Sequence, residues 1–270
     1  MSRHYNKRQR ARGQEQLEYA ATALVDASRR LLENPAESLP LLRDAPITGY
    51  QVVPAGTNYT FFVVMAPGDR DPFLAVYKPR QGENPLWDYP DGTLYHREHA
   101  AYVTSTELGW PNIPPTITRP DGPFGIGMAQ LYVPPDPNQD FFAFRSRYAD
   151  QLKEVALFDI LTNNGDRKAG HCLLDTGGKL WAIDHGLTFN HATRLRTVLW
   201  DFCGEPLPER LLSSLVDLLG DSRRERLRKK LESDIDAVDL DAFFSRVERT
   251  VRLGRFPQLD PGRNVPWPLY

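Results

Sequence analysis

From Leu17 to Leu32 the positions Leu17, Ala21, Leu24, Val25, Ser28, Leu31 and Leu32 recur at steps of three and four, which lays one apolar stripe along a helix. The following stretch, NPAESLPLLRDAP, carries three prolines and predicts a break. From 47 to 78 the periodicity changes. The runs ITGYQVV, YTFFVVMA and FLAVYK are β-branched and aromatic, separated by PAGTN and PGDRDP, and predict three antiparallel strands. A helix is expected across PDGTLYHREHAAYVTSTELG, with Asp91 or Thr93 as N-cap and Gly109 as its stop. GIGMAQLYV predicts one more strand before the proline-rich PPDPNQD.

Beyond residue 141 the text turns helical in FFAFRSRYADQLKEVALFDILT and runs into the polar stretch NNGDRKAGHCLLD. HCLLD and LWAID flank TGGK, so a β-hairpin turning on Gly177 and Gly178 is expected. The remaining stretches, PERLLSSLVDLLGD, SRRERLRKKLESD and DLDAFFSRVERTVRLG, carry helical periodicity and no strand signal. The chain thus divides into a β-rich first half and a helical second half. The charged loop and hairpin lie just past the join, where clefts often form.

Composition narrows the class without naming a chemistry. Of 270 residues 41% are hydrophobic and 25% charged, values of an ordinary water-soluble globular chain. Against 33 basic residues stand 35 acidic ones, so no overall field draws the protein to nucleic acid. Cys172 and Cys203 are too few for a disulfide framework or a cysteine-rich zinc site. The basic N-terminus MSRHYNKRQRARGQEQ is followed by no apolar signal region, and no run approaches the ~20 apolar residues of a spanning helix. A cytoplasmic location without a membrane span is expected.

The hairpin suggests chemistry because its open end gathers two acids: Asp166 precedes the first strand and Asp184 follows the second. One carboxylate can orient or deprotonate a hydroxyl while the other holds a divalent metal on nucleotide phosphates. The same acids also fit a solvated hairpin end. In the first half, Gly56, Thr57 and Asn58 form a turn whose N–H groups can cover phosphate oxygens. Lys78 ends an apolar strand and projects toward the cleft as a point charge, with Glu98 on the next helix as its candidate partner.

In this order the parts are those of a kinase, and the segment GDRKAGHCLL resembles the catalytic loop of phosphatidylinositol 3- and 4-kinase-like enzymes. AIDHGLTF is similar to their metal-binding segment and GMAQLYVP to their adenine-gripping strand and hinge; AVYKPRQGENPLWDYPDGTLYHREHAAY looks closer to a bacterial branch of that superfamily. The likeness covers most of residues 47 to 205. It implies an α+β, two-lobed protein-kinase-like fold with an N-terminal tail and helix over 1–46, a β-rich nucleotide-binding lobe over 47–134 and a helical lobe over 135–270. It also implies ATP and Mg²⁺ or Mn²⁺ as cofactors. By position, Lys78 contacts phosphate and Glu98 pairs with it, Asp166 with Lys168 forms the catalytic pair, and Gln130, Leu131 and Tyr132 flank the adenine. Asp184 and His171 hold the metal. Lys168 stands where these enzymes usually have a histidine, and His171 where they have a metal-binding asparagine; Mg²⁺ prefers oxygen to an imidazole nitrogen.

Three functions follow. The first is ATP-dependent phosphoryl transfer to a protein, lipid or small-molecule acceptor. The second is an ATP-binding pseudokinase acting as a regulatory module, which the His171 position favours. The third is a metal-dependent hydrolase built on His171, Asp184, His185 and His191, though their spacing matches no zinc signature. Arg194 and Arg196 are candidate contacts for an acidic substrate group.

Overall fold

The computed structural model describes residues 21–54, 57–260 and 262–269. Leu17 and the basic tail lie outside the described residues. Helix α1 occupies 21–32, and α2 (Pro35–Asp44) follows where a break was expected. Pro35 stands in the first turn of α2, where its missing N–H costs nothing, and the helix also accommodates Pro40.

Five antiparallel strands form one sheet in the order β1-β2-β3-β5-β4: β1 (Ile47–Val52), β2 (Phe61–Met65), β3 (Phe73–Pro79), β4 (Thr116–Gly122) and β5 (Gly125–Leu131). The strand β4 adds to the four expected in this half. Its sequence, TITRPDG, has a short β-branched run before a turn-like Pro-Asp-Gly, and its pairing with β5 makes it a strand.

Alternation along β3 decides what the sheet does. Phe73, Ala75 and Tyr77 are buried, and with Val63, Ala129 and Leu131 they pack against Ala27, Leu31, Leu32 and Leu42 of α1 and α2. Burying each such large side chain stabilises the fold by roughly 1.5–3 kcal/mol. Leu74, Val76 and Lys78 point to the opposite face and remain partly exposed. By register Phe62 sits opposite Val76, Gln130 opposite Val76 and Met128 opposite Lys78, so these residues share the Lys78 face.

Helix α3 (Leu94–Leu108) lies on that face and ends at Gly109, whose φ of 80° suits a glycine stop. Other residues of α3 join the helical half. Ala100, Ala101 and Leu108 belong to a core with Phe158 and Leu161 of α5 (Ala149–Thr162), preceded by the single turn α4 (Phe141–Phe144). Leu211, Leu227, Phe243 and Phe244 join it from α6 (Glu209–Leu218), α7 (Asp221–Leu231) and α8 (Ala237–Leu253). Polar contacts fasten α3 there as well. Arg97 donates to the Thr188 carbonyl at 2.6 Å and to Asp239 at 2.9 Å; His96 and His99 share Asp234 at 2.7 and 2.6 Å. Glu107 meets Arg223, Arg226 and Lys230 at 2.8 to 3.1 Å. The expected hairpin forms from β6 (Cys172–Leu174) and β7 (Leu180–Ala182), with Gly178 at a φ of 80° in its turn. Among the described residues no helix is long and apolar enough to cross a membrane.

The N-terminus of α3 departs from expectation. Thr93 is the N-cap residue but makes no capping bond; the Glu83 carboxylate accepts the N–H groups of Leu94 at 3.1 Å and Tyr95 at 2.9 Å. Glu83→Ala should therefore cost about 1–2 kcal/mol in urea unfolding, the size of a lost cap, and Thr93→Ala less than half of that. The reverse order would return the cap to Thr93.

Candidate active site

Sheet, helix and hairpin meet at Lys78. Its ammonium lies 2.5 Å from Oε1 of Glu98 and 2.9 Å from Oδ1 of Asp184. β3 supplies the lysine, α3 the glutamate and the segment after β7 the aspartate, so one cation joins the two halves of the chain. Glu98 is 1% exposed and holds the third element directly, because its Oε2 accepts the backbone N–H of His185 at 2.8 Å. Burial opposes the charge on Lys78, but Asp184 and Glu98 outweigh it and hold the ammonium's pKa above the ordinary lysine value. Burial raises the pKa of Glu98. At Asp184 burial works in the same direction, yet the charge of Lys78 prevails and keeps the carboxyl far below the usual range. The Asp184 side chain is 46% exposed, so the charge that Lys78 stabilises still faces the cleft. Its backbone adopts φ 60°, a left-handed conformation that aspartate tolerates better than most residues and that aims the carboxylate between Lys78 and His171.

Below this contact lies a buried guanidinium. Arg167 is 0% exposed and binds Asp159 of α5 through Nε and Nη2 at 3.0 Å each. Nη1 donates to the Ile183 carbonyl at 2.6 Å and the His171 carbonyl at 3.3 Å, and Nη2 meets Nε2 of His185 at 2.8 Å. One side chain thereby clamps α5, the catalytic-loop candidate and both ends of the hairpin. Asn164 extends the arrangement: its amide donates to Asp159 at 2.9 Å and its Oδ1 accepts the Asp166 N–H at 3.0 Å. Asp166 carries a pKa raised by burial and partly offset by Lys168, whose ammonium is 3.1 Å away. Two further details concern His171. Its Nδ1 accepts the Lys168 N–H at 3.3 Å, while its Nε2 lies 3.3 Å from Oδ2 of Asp184. Burial pushes its pKa down to about 4, so the imidazole is neutral at physiological pH.

Lys78, Glu98 and Asp184 are thus brought together, Lys168 stands against Asp166, and His171 stands against Asp184. Thr57 and Asn58 are held by Asn84, which donates to the Thr57 carbonyl and takes its own N–H to Oδ1 of Asn58 at 2.8 Å. Gly56 lies outside the described residues. The adenine-flanking trio separates. Tyr132 leaves the sheet next to Phe62, whose ring it meets edge-on. Gln130 lies on the Lys78 face, but its amide donates to Thr116 at 2.8 Å, and Leu131 is buried on the other face. The Tyr132 N–H is taken by the Leu74 carbonyl at 3.1 Å. Pro134 and Pro135 have none to offer, and the Val133 N–H meets no acceptor among the described residues.

The four hydrolase candidates do not converge. His185 is buried against Arg167, which with burial holds its pKa well below the ordinary histidine value, and His191 bonds Asp239 at 2.7 Å. No group of three metal-binding side chains occurs among the described residues. The Arg196 guanidinium donates to the Gly165 carbonyl at 3.4 Å. Sequence reading passed over Arg167 and Asp159. The arginine sits in the GDR motif, but its aspartate lies eight residues upstream in the otherwise apolar run VALFDIL with nothing local to mark it.

An ordinary histidine takes up a proton near pH 6.5, and burial sets His171 apart from it. The unfolded chain takes up a proton near pH 6.5 and the folded site only near 4, so stability falls as pH drops through that window. Denaturant unfolding should show a His171 contribution of about 1.4 kcal/mol per pH unit, about 3 kcal/mol in all between pH 6.5 and 4. His171→Asn should lose stability less steeply by that amount; equal slopes would mean that the imidazole titrates normally.

Comparison with known proteins gives the family and the fold. Residues 89–237 match the family described as phosphatidylinositol 3- and 4-kinase. Protein Rv2133c of Mycobacterium tuberculosis (strain ATCC 25618 / H37Rv) is 36% identical over 265 residues, which cover 85% of this chain and 94% of that protein. Among solved structures, the Golgi casein kinase with Mn/ADP bound superposes with a TM-score of 0.52 at 14% identity, over 81% of this chain and 75% of that one. A second crystal structure of the Golgi casein kinase gives 0.51 at 16% identity over the same shares. The solved structures share the fold, so the two-lobed α+β architecture expected from the sequence is the one observed. The family match spans the lysine's glutamate, the arginine clamp and both aspartates, and it makes this chain a member of the phosphatidylinositol 3- and 4-kinase family.

Proposed function

We propose that this chain transfers a phosphoryl group from ATP to an acceptor in the cleft between a β-rich lobe ending near residue 134 and a helical lobe after it. The observation that carries the reading is the position of the Lys78 ammonium between Glu98 and Asp184. A cation held by two carboxylates from different elements is placed to meet anionic oxygen while Asp184 stays ionised. The partly exposed Leu74 and Val76 offer an apolar surface to a purine, and the Val133 N–H is the backbone donor left for its edge. Thr57 and Asn58, with Gly56, cover the phosphates.

Asp184 and neutral His171 suit a divalent cation whose other ligands are phosphate oxygens, and Mg²⁺ or Mn²⁺ bound there would neutralise charge on the phosphoryl group. Asp166 lies on a loop fixed by Asn164 and Arg167, and its raised pKa suits a carboxylate that orients an acceptor hydroxyl and accepts its proton. Lys168, beside it, stabilises charge as the hydroxyl is deprotonated. The Mn/ADP held by the structurally similar Golgi casein kinase supports the choice of cofactors.

A second reading has its own support. Binding a metal through Nε2 of His171 requires its proton on Nδ1, which breaks the bond from the Lys168 N–H. An ATP-binding regulatory module without transfer would keep that bond.

Melting experiments with ATP and Mg²⁺ or Mn²⁺ test the nucleotide site. At a hundredfold excess over Kd, binding stabilises the fold by about 2.7 kcal/mol, and Lys78→Ala should lose most of the Tm rise. Unchanged melting of the wild type with either metal at millimolar ATP would end the nucleotide reading.

Binding and chemistry should then separate. Asp166→Asn is expected to bind ATP normally and to lower turnover at least about a hundredfold, as befits a proton acceptor. Asp184→Asn should lose metal-dependent ATP binding, measured by calorimetry. Equal and mild effects of the two changes would reduce both to a solvated hairpin end.

A further inference from the structure

The connection between β3 and α3 touches each part that phosphoryl transfer would have to align. At its start, the Gly82 carbonyl accepts the Tyr59 N–H at 2.9 Å, and Asn84 bonds the 57–58 turn through both its backbone and its side chain. Next to it, Glu83 caps the helix that carries Glu98. Four residues on, Asp88 reaches the segment that follows Asp184. Its carboxylate accepts the Thr193 hydroxyl at 3.2 Å, and its carbonyl accepts the Asn190 amide. Tyr89 is buried beside Gly165, so close that a methyl group built on Gly165 would stand 3.5 Å from its hydroxyl, and the Arg97 guanidinium covers its ring at 4.9 Å.

The far ends of these bonds are anchored. Asn163, which ends α5 in a left-handed conformation, donates to the Asn190 and Thr193 carbonyls at 2.8 and 2.7 Å. The Gly165 N–H donates to the Leu187 carbonyl at 2.8 Å. The segment 187–193 and the loop before Asp166 are therefore bonded into one piece, and Asp88 is bonded to that piece. Among the described residues Asn84 ties the phosphate-covering turn to the same connection, its side chain to the Thr57 carbonyl and its N–H to the Asn58 side chain.

We propose that residues 84–89 form a latch by which seating of the 57–58 turn on nucleotide fixes the 187–196 segment and the loop that carries Asp166. Asn84 and Asp88 are its positioning residues, one at each end. The inference rests on the nucleotide reading of the cleft and adds a coupling path that the family match does not assign. Neither residue touches the reacting groups; each acts by what it holds.

The test follows hydrogen exchange of residues 187–196 in the intact wild type, Asn84→Ala, Asp88→Ala and the double variant, with and without saturating MgATP, alongside the Kd for MgATP. The latch predicts that MgATP protects this segment in the wild type. Each single variant should lose that protection while still binding nucleotide, and the double variant should be no worse than either one. Asn84→Ala should also weaken MgATP about five- to tenfold, through the freed turn. If Asp88→Ala fails to fold, Thr193→Val removes the same bond from the other side and carries the same expectation. Wild-type protection that persists in the variants overturns the latch, as does ATP binding without any protection in the wild type. Failure of the wild type to bind ATP overturns the nucleotide reading and the latch with it.

Discussion

A guanidinium without access to water must have its donors met inside the protein, and Arg167 imposes that constraint on the whole site. Asp159 neutralises it, the Ile183 and His171 carbonyls take Nη1, and the His185 ring takes Nη2. Removing one partner of such a buried pair commonly costs about 3–5 kcal/mol, because the other charge stays buried. Satisfying Arg167 fixes where α5, the loop at Asp166 and the two ends of the hairpin stand relative to one another. It reaches the β-rich half as well. His185 is held through its ring by Arg167 and through its N–H by Glu98, which in turn holds Lys78.

Helix α3 transmits this order from one half to the other. Glu98 goes to the sheet's lysine, while Ala100, Ala101 and Leu108 share a core with the helical half and Arg97, His96, His99 and Glu107 fasten the helix there. A helix bound so firmly keeps its glutamate in place, and the connection before it joins the turn at 57–58 to the segment after Asp184 through the bonds of Asn84 and Asp88.

Much of this arrangement could be read from the sequence because its signals are local. Alternation in FLAVYK gives β3 and puts Lys78 on the face opposite the core, and the GDR and IDHG segments mark the two aspartates through their likeness to a family. Gly109 announces the end of α3 by the conformation that only glycine adopts easily. What escaped depends on contacts between distant residues. Asp159 looks like any acid on a mixed helix until Arg167 folds against it. Strand β4 is defined by its neighbour β5 more than by its own residues. The bond that the Gln130 amide gives to Thr116, fourteen residues away, has no local signal either. His171 carries no mark in the sequence of the burial that lowers its pKa. Glu83 displaced the expected cap at Thr93 because a carboxylate ten residues earlier reaches two N–H groups together.

The proposed task of Lys78, Asp166 and Asp184 together is to move phosphate. Incubating the protein with γ-labelled ATP, a divalent metal and a cell extract, then separating protein, lipid and small-molecule fractions, tests it most directly. Label should enter one fraction with the wild type and be absent with Asp166→Asn. Nucleotide binding by the wild type without label in any fraction, under Mg²⁺ or Mn²⁺, would contradict transfer and leave an ATP-binding regulatory module.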